Sequence, residues 1–126
     1  YDYFVEGVVI HGKKMGAKVL GIPTINIIPP ENKLLPPFGV YVCDVVVGEK
    51  TYHGIADVGC KPTIEGVNPV AVETNIFDFN ENLYGKKVRV CFRSRERSEM
   101  KFESLEALKQ QLEQDIAYGR YYVQQH

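Results

Sequence analysis

Short runs of apolar, β-branched and aromatic residues fill the first four fifths of the chain, and the apolar period turns helical in the remainder. Residues 3–10 predict a strand that ends before Gly12. Residues 12–21 hold Gly12, Gly16 and Gly21 with Lys13, Lys14 and Lys18, a composition that predicts a loop. Pro29, Pro30, Pro36 and Pro37 predict an irregular connection. Residues 38–47 predict a strong strand, 48–50 a turn, and 51–58 the returning arm of a hairpin. A second long loop is expected over 59–69, a strand over 70–79, a turn over 80–85 and a strand over 87–93. Five or six strands joined in this way predict a small closed antiparallel barrel, because closure removes exposed edges. Ser104 can cap a helix, Leu105, Leu108, Leu112 and Ile116 follow at helical spacing, and Gly119 can end it. That helix, about 104–119, is expected to lay its leucine stripe on the barrel, which spans about 3–95.

The 126 residues are expected to form one domain, and 44% hydrophobic with 25% charged residues is a globular balance. A net charge of −1 argues against a nucleic-acid platform, which carries a basic excess. Cys43, Cys60 and Cys91 are odd in number and lack Cys-x-x-Cys spacing, so free thiols in a reducing, cytoplasmic setting are expected. His11, His53 and His126 show no zinc-ligand spacing. No apolar run approaches the roughly 20 residues of a membrane span, and no signal peptide is visible. The start at Tyr1 rather than Met is what a domain cut from a longer protein would show.

Candidate chemistry concentrates in three places. Pro23-Thr24-Ile25-Asn26 offers a hydroxyl and a carboxamide oxygen two residues apart. On an extended chain they share a face and can converge on Mg²⁺ or a phosphate. The glycine- and lysine-bearing loop before them can bring backbone N–H groups and positive charge to a phosphate, although it holds no Walker A motif. The alternative is a proline-initiated strand with a surface Thr and Asn. Glu73 lies mid-strand and by alternation shares a face with Asn75 and Phe77, opposite Val72, Thr74 and Ile76. It is either a solvated strand glutamate or a carboxylate at the barrel mouth that takes a proton from a substrate hydroxyl. Residues 93–99, with Arg93, Arg95, Arg97 and Glu99, are either a solvated loop or a lid over a ligand. The aromatics Tyr41, Tyr52, Phe77, Phe79, Tyr84 and Phe92 are expected mainly in the core.

Taken in order, these segments resemble the riboflavin kinase (flavokinase) family. The resemblance rests on Gly16-x-Lys18-x-Leu20-Gly21-Ile22-Pro23-Thr24-x-Asn26, Gly39-Val40-Tyr41, Gly59-x-x-Pro62-Thr63, Val72-Glu73-Thr74-x-Ile76, Leu83-Tyr84-Gly85 and Lys101-Phe102-x-Ser104-Leu105. It implies a mainly β fold, a six-stranded antiparallel Greek-key β-barrel with a C-terminal α-helix packed against it. It implies transfer of the ATP γ-phosphoryl group to the ribityl 5′-hydroxyl of riboflavin, giving FMN, in a free-standing enzyme or beside an N-terminal FMN adenylyltransferase domain. By resemblance Thr24 and Asn26 bind Mg²⁺ and nucleotide phosphate, Glu73 is the general base, and Gly16, Lys18, Gly21 and Pro23 belong to the nucleotide flap. Arg97 and Glu99 fall on the flavin side. A non-catalytic flavin- or nucleotide-binding module is the alternative on the same barrel.

The chain departs from the family pattern at three points. Glu96-Arg97-Ser98-Glu99 stands for Leu-Arg-Pro-Glu, which is expected to loosen a loop and add negative charge. Asp57-Val58-Gly59 stands for Asn-Ile-Gly, and a nearby Asp57 charge would oppose phosphate binding. Glu73-Thr74-Asn75 stands for Glu-Thr-His.

Overall fold

A computed structural model describes residues 3–10, 24–29, 35–60, 70–79, 81–100 and 102–125. Six strands form one antiparallel sheet: β1 (Phe4–Val8), β2 (Ile25–Ile27), β3 (Gly39–Val47), β4 (Lys50–Cys60), β5 (Val70–Ile76) and β6 (Lys87–Arg97). Their spatial order is β1-β6-β3-β4-β5-β2. Strand β6 returns to lie beside β3 after the β3-β4-β5 meander, which is the Greek-key arrangement. The two edges approach each other, and Ile10 N–H donates to the Asn26 carbonyl at 2.9 Å. The sheet is thus a nearly closed barrel, as the hairpin pattern predicts.

Alternation explains the inside. Val5, Ile27, Val45, Val58, Val72 and Val90 are completely buried, and β-branched side chains suit the pleated surface. Tyr41 and Phe92 meet edge-to-face in the same core, with ring centroids 5.3 Å apart. Of the other expected core aromatics, Tyr52 and Phe79 pair at 4.8 Å, whereas Tyr84 is exposed. Cys43 is a buried free thiol and Cys91 a half-buried one.

Helix α1 (Leu105–Gln125) packs on the outside of β3 and β4. Ser104 caps it, its hydroxyl accepting from Ala107 N–H at 3.1 Å. Two expectations about the helix are corrected. Leu105 is exposed, and the deepest helix positions are Asp115 and Gly119, with Ile116 and Val123 against Val40, Ile55 and Phe77. Gly119 does not end the helix. A Cβ there would sit 2.8 Å from both Ile55 Cγ2 and Phe77 Cζ, so the missing side chain lets the helix approach the sheet. Gly119→Leu is therefore expected to cost roughly 1–3 kcal/mol or more by overpacking, measured by denaturant unfolding. An unchanged midpoint would refute the close approach. Arg120 reinforces the docking, reaching both Asp78 oxygens at 3.1 and 3.2 Å across the Phe77 ring.

Strand β6 runs four residues beyond the expected 93, to Arg97. Its register against β3 slips between Val40↔Arg97 and Tyr41↔Arg95, leaving Glu96 as an extra residue. Such a bulge re-aims side chains, and here consecutive Glu96 and Arg97 both reach Asp115 of α1.

Candidate active site

Cross-strand register builds the site. Asn26 on β2 lies directly opposite Glu73 on β5, and Glu73 lies directly opposite Asp57 on β4. The row continues through Val40 on β3 to Arg97 on β6. Direct partners in antiparallel strands share a face. Because Ile55 and Phe77 of the same alternation lie under α1, this row faces outward, away from the barrel core. Val72 and Ile76 point into the core and Thr74 is fully buried between them, as alternation requires. Glu73 and Asn26 are nonetheless only 9% and 8% exposed. Thr24 is half-buried just ahead of β2.

Three of the expected site residues, Thr24, Asn26 and Glu73, thus fall within two neighbouring strands and the residue preceding one of them. Gly16, Lys18, Gly21 and Pro23 lie outside the described residues. Of the segment 93–99, expected as a solvated loop or a lid, residues 93–97 are corrected to strand, and its arginines are tied down. Arg93 Nη1 donates to Asp44 Oδ2 at 2.8 Å, with His53 on the other Asp44 oxygen. Arg95 Nη2 donates to the Phe38 carbonyl at 2.9 Å. Arg97 holds Asp115 through a fork, Nε to Oδ1 at 3.0 Å and Nη2 to Oδ2 at 2.7 Å. Glu99 lies on the short segment after β6, and its carboxylate rests against Gly59, where any Cβ would collide with it.

Asp115 is the functional-region residue that sequence reading missed. It sits in a helix among Glu and Gln residues and carries no local mark of its 0% exposure. Burial disfavours its charge, but hydrogen bonds from Arg97, Glu96 and Gln111 more than offset this and hold its carboxyl below the ordinary range. Glu96 behaves in the opposite way. Burial, a hydrogen bond to Asp115 and the Asp115 charge push its carboxyl up to about 9. The extra negative charge expected at Glu96 is thus opposed by its setting, since burial and the adjoining Asp115 carboxylate favour its protonated form.

This ionisation has a measurable sign. Across the window from its ordinary 4.5 to about 9, the folded chain keeps a proton on Glu96 that the unfolded chain releases. Stability drawn from this group is full below that window and falls as pH rises through it. Glu96→Gln keeps the shape and removes the slope. Its melting temperature is expected to gain on wild type steadily across the window, read by thermal unfolding at a series of pH values. Parallel wild-type and variant curves would mean that Glu96 is ionised in the fold.

A small barrel with a buried carboxamide and carboxylate on its outer wall, Asn26 and Glu73, and the half-buried hydroxyl of Thr24 nearby in the chain has the donors of a phosphoryl-transfer domain. The family model described as riboflavin kinase matches residues 1–123. The bifunctional riboflavin kinase/FMN adenylyltransferase of Bacillus subtilis is 38% identical over 115 residues, covering 90% of this chain and 36% of that protein. Its Escherichia coli K12 counterpart is 34% identical over 121 residues, covering 95% and 38%. Among solved structures, a Streptococcus pneumoniae protein described as a macrolide-efflux protein superposes with a TM-score of 0.78 at 37% identity, over 89% of this chain and 36% of that one. Riboflavin kinase from Trypanosoma brucei shares the fold at a TM-score of 0.66 and 24% identity, over 96% and 79%. The chain belongs to the riboflavin kinase family. It spans a little over a third of the length of the curated bifunctional relatives. Among the described residues no helix is long and apolar enough to cross a membrane.

Proposed function

We propose that this chain transfers the γ-phosphoryl group of ATP to the ribityl 5′-hydroxyl of riboflavin, giving FMN and ADP. The observation that carries the reading is the direct pairing of Asn26 with Glu73 on the outer wall, both about nine-tenths buried. A primary alcohol is a weak nucleophile, so a carboxylate must orient it and accept its proton as the bond to phosphorus forms. Glu73 supplies that carboxylate. Thr24 and Asn26 supply neutral oxygen donors one strand away, on the side from which the polyphosphate would be held.

The donor set fits Mg²⁺, which prefers hard oxygens and keeps most of its ligands as water and phosphate. Thr24 and Asn26 would hold it, and it would offset charge on the transferring group when bound. Glu73, across the strand pair from Asn26, remains the base rather than a ligand. In the family's bifunctional members the remaining length carries FMN adenylyltransferase activity, and we extend to this chain the same partnership with such a domain.

The test is incubation with riboflavin and MgATP, followed by chromatography for FMN. FMN well above an enzyme-free blank is expected. Riboflavin fluorescence quenching without any FMN would replace this reading with a flavin-binding module.

A further inference from the structure

We propose that Asp115 is a positioning residue for the acceptor side of the site, acting through Arg97 and the segment that carries Glu99. The inference rests on the kinase reading above. A buried ion pair is weak ground for stability, because well-packed apolar residues often serve as well or better. What a forked pair supplies is direction: two parallel donors fix the plane of the guanidinium. Asp115 receives that fork at 3.0 and 2.7 Å, and Gln111 Nε2 holds the same carboxylate at 2.9 Å.

The remaining Arg97 nitrogen shows where the direction is spent. Nη1 donates to the Ser98 carbonyl at 3.0 Å, so the clamped guanidinium also sets the path of the chain as it leaves β6. One residue later the Glu99 carboxylate lies on Gly59. Gly59 is two residues beyond Asp57 on β4 and pairs with Ala71, two residues before Glu73 on β5. Glu99 therefore stands over the same-face row next to Glu73 and Asp57, roughly 7 Å along the strands. Arg97 stands in the same row as Asp57 through Val40; burial disfavours its charge, while the Asp115 bond and the charges of Asp115 and Asp57 favour it.

The geometry of transfer assigns this wall to the acceptor. The donor phosphates take the Asn26 side of Glu73, and an in-line displacement sends the body of the alcohol away from them. That direction is toward β4, where Asp57 and the Glu99-covered Gly59 lie. Asp115 touches no substrate. It holds still the segment against which the acceptor must be placed.

The experiment compares the full chain with Asp115→Asn and Arg97→Lys, measuring kcat, both KM values and melting temperature. Asp115→Asn is expected to raise the riboflavin KM roughly tenfold or more while the MgATP KM stays within about twofold, since misplacement by an ångström is costly. Arg97→Lys keeps a cation against the buried carboxylate and so preserves folding, but it loses the fork and is expected to give the same selective rise. A variant that only melts earlier, with both KM values unchanged or both raised together, overturns the inference while leaving the kinase reading in place. A wild-type chain that makes no FMN removes the kinase reading and this inference with it.

Discussion

Glu73→Gln is expected to lower kcat by roughly 10²–10⁴-fold while leaving both KM values within about twofold. Gln keeps the volume of Glu, so the buried position on β5 stays filled, while one acceptor oxygen becomes an NH2 donor. It cannot accept the hydroxyl proton. Glu73 stands directly opposite Asp57 on β4 and Asn26 on β2, so a change at this position is read against melting temperature as well as turnover. A large fall in kcat with no loss of stability separates a base from a structural acid. Turnover at the wild-type rate in Glu73→Gln would remove Glu73 from the chemistry.

Arg97→Ala is expected to destabilise the fold by roughly 3–5 kcal/mol, because it leaves the Asp115 carboxylate buried without its cation. The Arg97 side chain is itself only 17% exposed, so water cannot readily take its place. The comparison that isolates this cause is the double change Arg97→Met with Asp115→Leu, which removes both charges and fills the space. It is expected to lie much closer to wild type, and the two single costs should not add. Denaturant unfolding of wild type, Arg97→Met, Asp115→Leu and the double variant measures the cycle. If the single and double changes cost the same, the loss comes from packing of the long side chain and not from an orphaned charge.

Much of the site could be read from residue order. Thr24 and Asn26 follow a proline two residues apart, and Glu73 sits mid-strand on the face opposite Val72 and Ile76, so alternation alone assigns their orientation. The segment after Phe92 was harder. Seven residues rich in Arg, Glu and Ser look like a solvated loop, yet five of them continue β6 because Val40, Tyr41 and Val42 offer it a partner edge. Strand propensity depends on what lies alongside, and that edge lies far back in the chain, where Val40 pairs with Arg97, Tyr41 with Arg95 and Val42 with Ser94. Gly119 misled for a similar reason. A glycine reads as a helix stop until another element is found pressing on it.

Residue order by itself determined most of the barrel's strands, the capped helix, and that Glu73 lies on the strand face opposite Val72, since each follows from a local period or a neighbouring residue. The tertiary structure alone decided that Asn26, Glu73 and Asp57 stand in one row, that Arg97 grips a buried Asp115, and that the Glu96 carboxyl is pushed upward beside it. Register joins residues far apart in the chain, and a carboxyl's ionisation is set by the water and charge around it, so neither is written in a run of neighbours.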